Sequence, residues 1–398
     1  MKILLLTPQL PYPPHQGTTI RNYHILKHLA QKHAVTLLSF GAPAELANAA
    51  PLRDLCARIE IAPYPARPFR ARVLSTLFSP LPDMALRLKS REMHRKVESL
   101  CQEEKFDVVQ IEGIEMSRYM PQSQIGNPKS KIVFDDHNAE YALQRSAFLA
   151  DAAHFSRWHA ALYSLIQAQK LARYERKICS SADQIIACSE SDANALYDLF
   201  KSEIHVIPNG VDTDYYVPSD AVCAKPLSEF ALVFTGKMDY RPNIDAIVWF
   251  CRAILPRVRA EIPRAHIVIV GQKPAPGILA LRDLPGVAVT GAVPDTRPFI
   301  ADAAVYVMPL RMGSGTRLKA LEAMAMGKAI VSTTRGVEGI RVTPTRQVIC
   351  ADDAEPFARE IIALLRDPAR RRALGIAARE LAAEMYDWRK ILPAFDQL

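Results

Sequence analysis

The chain has 398 residues, more than one hydrophobic core usually accommodates, so two domains are expected. A 49% hydrophobic and 23% charged composition is that of a globular protein, and no apolar run approaches the ~20 residues that would cross a bilayer, which excludes a membrane-spanning chain. Net charge is +8, and seven cysteines without C-x-x-C spacing read as reduced packing residues of a cytoplasmic protein.

The N-terminal run MKILLL is closed soon afterwards by Pro8 rather than by a small-residue cleavage site, so it reads as a buried first strand and not as a signal peptide. Further apolar runs follow at 35–40, 59–64, 108–111, 132–134, 185–188 and 205–207. They are rich in Val, Ile and Leu and do not alternate with polar residues, the pattern of strands buried on both faces. Helical stretches separate them, which predicts a doubly wound parallel sheet. After strand one a loop with four prolines reaches Gly17, and a helix is expected from about Thr18, which would cap it, with Ile25, Leu26 and Leu29 facing the core. Eight Lys or Arg against two acids between Arg67 and Lys96 form a basic block, most commonly a solvated face and otherwise a surface for anionic lipid or nucleic acid. Aromatics are not interleaved there as nucleic acid would require.

Residues 141–181 are helical by pattern. The strand pattern stops over 208–227, where Asn209-Gly210, prolines and acids mark a linker. A second series of strands begins at Ala231, with runs at 231–235, 267–270, 287–290, 305–308, 329–332 and 348–350. The expected organisation is an N-terminal Rossmann-like domain over 1–207, the linker over 208–227, a second such domain over 228–375, and a C-terminal helix over 376–398 that crosses back to the first domain. Two such domains would face a cleft, the usual place for a ligand.

The stretch YVMPLRMGSGTRLKALEAMAMGK, 306–328, carries the densest chemistry. A strand breaks at Pro309, a turn of small residues follows, and a helix begins near Arg317 and ends at Gly327. Unpaired backbone N–H groups and the helix dipole then favour an anion, which accounts for Arg317 and Lys319 in a first turn where basic residues are otherwise unfavourable. Elsewhere Gly-x-Gly-x-x-Gly, the Walker phosphate loop and the Gly-x-Ser-x-Gly elbow are all missing, which argues against hydride transfer, P-loop hydrolysis and the α/β-hydrolase reaction. Asp135-Asp136-His137-Asn138 after a strand offers metal-ligand types, but no second ligand pair accompanies it; His137 reads either as a hydrogen-bonding core residue, the commoner case for a lone His after a strand, or as a contact to a polar substrate.

The ordered set of the Pro-rich loop with Gly17, DDHNAEY, ACSESD, IPNGVD, VFTGKMDYRPNIDA, VTGAV and MGSGTRLKALEAMAMGKAIVST resembles retaining glycosyltransferases of the two-Rossmann-domain (GT-B) architecture, family 4, and among them bacterial sugar transferases of exopolysaccharide synthesis. The resemblance runs from Met1 almost to the C-terminus. It implies a nucleotide diphosphate sugar as donor, and a glycan or lipid-linked acceptor. Glu322 matches the second Glu of the family's E-x7-E motif, which holds the donor ribose. Gly315, Thr316 and Arg317 match the stretch that meets the diphosphate and sugar, and Gly17 matches the first-loop glycine beside the diphosphate. His137 matches a His facing the donor sugar, and Lys237 the basic residue that neutralises the departing diphosphate. Two positions depart from the pattern. The first Glu of E-x7-E is Ser314, and the second diphosphate-binding Lys falls on Asn243, so Lys319 or Arg241 is expected to supply that charge.

The implied enzyme is a metal-independent hexosyltransferase without a cofactor. It is expected to be cytoplasmic, with peripheral contact to an anionic membrane and no nucleic-acid partner. The competing readings are a catalytically silent nucleotide-sugar-binding subunit, or a nucleotide-sugar epimerase on the same fold.

Overall fold

The computed structural model describes residues 1–120, 129–152, 157–218, 229–313 and 316–397. The chain divides into two compact units, Met1–Pro208 with the segment from Leu392 onward, and Asn209–Ile391.

In the first unit, seven strands, β1 (Lys2–Thr7), β2 (Ala34–Phe40), β3 (Arg58–Ala62), β4 (Val108–Glu112), β5 (Lys131–Asp136), β6 (Gln184–Ala187) and β7 (His205–Val206), form one sheet in the order 3-2-1-4-5-6-7. Every pairing is parallel. Leu4, Leu5, Leu37, Leu38, Ile111 and Phe134 are fully buried, as strands covered on both faces require. The helices that matter below are α1 (Gly17–Leu29), α2 (Phe69–Phe78), α3 (Glu140–Ala152), α4 (Trp158–Cys179) and α5 (Glu190–Phe200). α1 begins one residue before the sequence-based expectation. Gln16 is its cap, because the Gln16 backbone N–H donates to the Thr19 hydroxyl, which in turn donates to the Gln16 carbonyl.

The second unit holds β8 (Ala231–Thr235), β9 (His266–Val270), β10 (Val287–Gly291), β11 (Val305–Met308), β12 (Ile330–Ser332) and β13 (Ile349–Cys350), all parallel in the order 10-9-8-11-12-13. Three of its helices concern the site: α6 (Arg241–Trp249), α7 (Leu318–Ala325) and α8 (Pro368–Met385). α6 passes through a π-turn at Phe250–Ile254, which keeps Phe250, Cys251 and Ile254 buried on one side. Both units are thus doubly wound parallel sheets of the Rossmann type.

Two boundaries differ from those expected. The described part of the linker, Asn209–Pro218, groups with the second unit, since Val211 bridges to Asp387 and the Thr213 hydroxyl bonds the Asp387 carboxylate. The C-terminus is not one returning helix. α8 belongs to the second unit, where Arg379 donates to the carbonyls of Ala325 and Tyr216 and Gly375 packs against the carbonyl of Gly327, leaving only Leu392 onward with the first unit. Among the described residues no helix is long and apolar enough to cross a membrane. Cysteines 56, 101, 179, 188, 251 and 350 are free, and Cys223 lies outside the described residues.

Candidate functional site

Ligands of doubly wound sheets bind outside the strand C-termini where the strand order reverses. In the second unit that point lies between β8 and β11. β8 ends at Thr235 and turns at Gly236, whose φ of +151° and surroundings both demand glycine: a Cβ there would lie 2.6 Å from Lys319 Nζ and 2.9 Å from Asn243 Nδ2. Lys319, in the first turn of α7, reaches through this gap. Its ammonium donates to Asn243 Oδ1 at 2.8 Å and lies 4.3 Å from the centre of the Phe234 ring. Buried Asn243 uses its other amide atom to donate to the Lys237 carbonyl at 2.8 Å. One amide therefore ties the lysine of α7 to the turn after β8.

This cation is held by neutral partners, and among the described residues no carboxylate bonds it directly. Burial, and then repulsion from Arg317, push its pKa down to about 7, with Glu322 opposing the shift. Arg317 is itself buried at the head of α7, with Nη2 4.0 Å from Glu338 Oε2. Glu322, one turn beyond Leu318, accepts a hydrogen bond from the Tyr216 hydroxyl, and burial raises its pKa above the ordinary carboxylate value. Lys237 is half-exposed with Nζ 3.7 Å from Asp239, Arg241 is exposed at the start of α6, and Thr316 is half-buried. Ser314 and Gly315 lie outside the described residues. The helix start, buried Arg317, half-buried Lys319 and the hydrogen-bonded carboxylate of Glu322 gather at one strand end, an arrangement suited to an anion.

The first unit repeats the arrangement at its own reversal point, between β1 and β4. Gly17 is the first residue of α1, and one turn on, Arg21 forks onto Asp135 at the end of β5 with bonds of 2.8 and 3.0 Å, while Nη1 donates to the Ile207 carbonyl at 3.0 Å. Both side chains of this pair are almost wholly buried. His137 follows on the same strand end, its Nε2 3.0 Å from Glu112 Oε2. Burial alone would push the imidazole pKa down, yet Glu112 and Asp135 outweigh it, so the net shift is upward and favours the imidazolium. Gln110 donates to the remaining Glu112 oxygen at 2.6 Å.

Glu112, Asp135 and His137 each bring one possible metal-ligand atom within 4.8 Å of the others. Both Asp135 oxygens already accept from Arg21, so a cation would have to displace a buried guanidinium. Sequence reasoning missed Arg21, Glu112, Gln110 and Tyr216. The polar pair Gln110 and Glu112 at strand period within VVQIE was the signal for two of them.

Asp136 points to the opposite face of β5, among Glu140, Glu175 and Asp192. Glu175 accepts the backbone N–H of Glu140 at 2.6 Å and of Tyr141 at 3.2 Å, so it caps α3, and Asp192 accepts that of Ala139 at 3.1 Å. Oδ2 of Asp136 is buried with no hydrogen-bond partner, and burial followed by repulsion from Glu175 raises its pKa well above the ordinary value. Burial and then Glu115 raise Glu140 to about 7. A carboxyl whose folded pKa exceeds its unfolded one stabilises the fold at low pH, and that stability is lost as pH rises through the folded pKa. Stability is therefore expected to fall between about pH 4.5 and 7, Glu140 alone contributing roughly 3 kcal/mol to the change. Urea titration across this range checks it: Glu140→Gln should match wild type at the acid end and exceed it at pH 8, and parallel curves would refute the assignment.

Two parallel Rossmann-type sheets with an anion site at the reversal point of the second define a GT-B architecture. Solved structures agree in fold: HepE of Anabaena, in complex with UDP and glucose, superposes with a TM-score of 0.68 at 16% identity, covering 100% of this chain and 98% of that one. WaaG, a glycosyltransferase involved in lipopolysaccharide biosynthesis, gives 0.64 at 15% identity, covering 100% and 99%. The chain matches Glycosyltransferase Family 4 over residues 16–215 and Glycosyl transferases group 1 over 229–367. It belongs to glycosyltransferase family 4 and is a glycosyltransferase. An uncharacterized 44.6 kDa protein in the cps region of Klebsiella pneumoniae is 21% identical over 98% of this chain and 97% of that protein. A GDP-mannose-dependent phosphatidylinositol monomannoside mannosyltransferase of Mycolicibacterium smegmatis is 27% identical, over 54% of this chain and 61% of its own length.

Proposed function

We propose that the chain moves a sugar from a nucleotide diphosphate sugar to an acceptor hydroxyl with retention at the anomeric carbon, in the synthesis of an exopolysaccharide or other surface glycan. The observation that carries this reading is Lys319. Its ammonium, tied to the turn after β8 by Asn243, fills the role of the lysine that the family carries where this chain has Asn243. On this reading Lys319, Lys237, Arg317 and the head of α7 bind the diphosphate, Thr316 adds polar contacts, and Glu322 holds the ribose. Gly315 and Ser314 complete the same stretch in sequence. Gly17 and His137 serve the donor from the first unit, His137 as an imidazolium toward the sugar hydroxyls.

In the reaction the bond from the anomeric carbon to the diphosphate oxygen breaks, and the acceptor oxygen bonds that carbon on the same face. The acceptor proton passes to the departing diphosphate. Fixed cations stabilise the leaving charge, so the transfer needs no metal and should proceed in chelator. The UDP-bound neighbour supports a nucleotide donor, and the relative in a cps region supports the glycan role. The basic block at 67–96 supports work at the inner face of a membrane, where a lipid-linked acceptor would lie.

Thermal-shift titration with UDP-, GDP- and ADP-sugars tests the donor class, since a ligand of the folded state raises Tm. One sugar nucleotide should raise Tm and release its nucleoside diphosphate in the presence of acceptor. Binding to none overturns the reading, and tight binding without turnover across an acceptor panel makes the chain a silent subunit.

A further inference from the structure

Helix α2 is amphipathic in the wrong sense for a water-facing helix. Phe69, Val73 and Leu77 follow one another at four-residue spacing, as do Leu74 and Phe78, and they are 76, 42, 62, 58 and 79% exposed respectively. No residue of the helix is buried. Its polar side is the one held by the protein: the Ser75 hydroxyl accepts from Arg67 at 2.6 Å, and Lys170 of α4 donates to the Thr76 carbonyl at 2.6 Å. A lysine on the last carbonyls and an arginine on the polar face fix the helix so that its aromatic and aliphatic side chains point outward.

We infer that α2 is a membrane-docking helix, which lies in the plane of an anionic lipid bilayer and inserts Phe69, Leu74, Leu77 and Phe78. The proposal takes up the membrane contact of the reading above and assigns it to one element. Charge selects the occupant. Arg70 stands within the apolar arc, the helix carries no acid, and Arg70, Lys89, Arg91 and Arg95 are exposed, whereas Arg72 lies on the polar face, 3.4 Å from Asp83. Arginines in such places reach back to phosphate headgroups while their stems lie along the acyl boundary. A second copy pairing through the same face would set these arginines against each other, which disfavours a symmetric dimer.

The patch extends along α4. Arg72 bonds Tyr163 and the Thr76 carbonyl bonds Lys170, so α2 and α4 run in the same direction. Trp158 and Leu162, 62 and 49% exposed, therefore lie toward the Phe69 end. Tryptophan at the rim of an apolar patch suits the headgroup boundary.

The test is flotation of the full-length protein with vesicles of phosphatidylcholine alone and of phosphatidylcholine mixed with phosphatidylglycerol, at low and high salt. The wild type should float with the anionic vesicles only, less so at high salt. Leu74→Asp/Phe78→Asp should lower that partition about a hundredfold while leaving the donor-induced Tm shift unchanged. No binding to anionic vesicles, equal binding to both vesicle types, or unchanged binding by the double variant each overturn the proposal. A wild type that is dimeric on gel filtration, with the variant monomeric, overturns it in favour of a second copy. Any of these failures leaves the donor reading standing, because donor binding is read separately.

Discussion

Lys319→Ala is expected to lower kcat/KM by about 10² to 10³-fold, the cost of removing a preorganised donor from a developing oxyanion. The half-buried side chain packs among Asn243, Phe234 and the Gly236 turn, and among the described residues no second cation bonds Asn243 there. Arg241 is exposed at the first turn of α6, where solvent screens its charge, so Arg241→Ala should stay within about threefold of wild type. Equal losses in the two variants would refute the assignment of the missing charge to Lys319.

The same lysine sets a pH signature. Its pKa in the free protein is depressed to about 7, by burial first and by Arg317 second. A bound diphosphate would raise it, so above pH 7 binding must take up a proton that the free side chain has lost. Donor affinity should be flat below about pH 7 and fall by up to about tenfold per pH unit above it, until the pKa of the complex is reached. Calorimetry in buffers of different ionisation enthalpy reads the proton uptake directly. Lys319→Arg, which stays charged, should bind without it.

Arg21→Ala is expected to destabilise the first unit by roughly 3–5 kcal/mol, the range for removing one partner of a buried ion pair. The loss leaves Asp135 buried without the two bonds of 2.8 and 3.0 Å that offset its desolvation, and the Ile207 carbonyl without a donor. Arg21 also lies close enough to Glu112 to lower its pKa, although burial leaves that pKa raised overall. Denaturant unfolding followed on the first unit measures the effect, and the double variant Arg21→Met/Asp135→Leu should recover much of the loss because neither charge remains to be solvated. A loss below about 1 kcal/mol would mean the pair is compensated elsewhere.

Most of the thirteen strands among the described residues were legible because they are short runs of buried Val, Ile, Leu and Phe, and burial on both faces leaves that pattern in the sequence; β3, β7 and β10, at or near the sheet edges, are less buried. The stretch from β11 through α7 was legible for a similar local reason: strand, turn, Arg317, Lys319 and Glu322 all fall within one supersecondary unit. Which side chain bonds Asn243 was not. Lys319 and Asn243 are 76 residues apart, and only the adjacency of β8 and β11 brings them to 2.8 Å. Arg21 and Asp135, 114 residues apart, meet because the strand order β1-β4-β5 brings the end of β5 to the start of α1. In the sequence Arg21 is merely a polar position in a helix. Tyr216 read as linker, because nothing local marks a phenol that bonds Glu322.

Local patterning alone therefore determined the two-domain parallel-sheet class and the helix start after β11 that suits an anion. Each depends on residues within one strand, turn or helix. Tertiary structure alone decided which charges are paired, which carboxyls burial shifts and which apolar face is left outward. Apolar spacing looks the same in Ile25, Leu26 and Leu29 of α1, which are buried, and in Leu74, Leu77 and Phe78 of α2, which are exposed. A periodic pattern states that a helix has an apolar side, and only the packing of the remaining chain settles whether protein covers it.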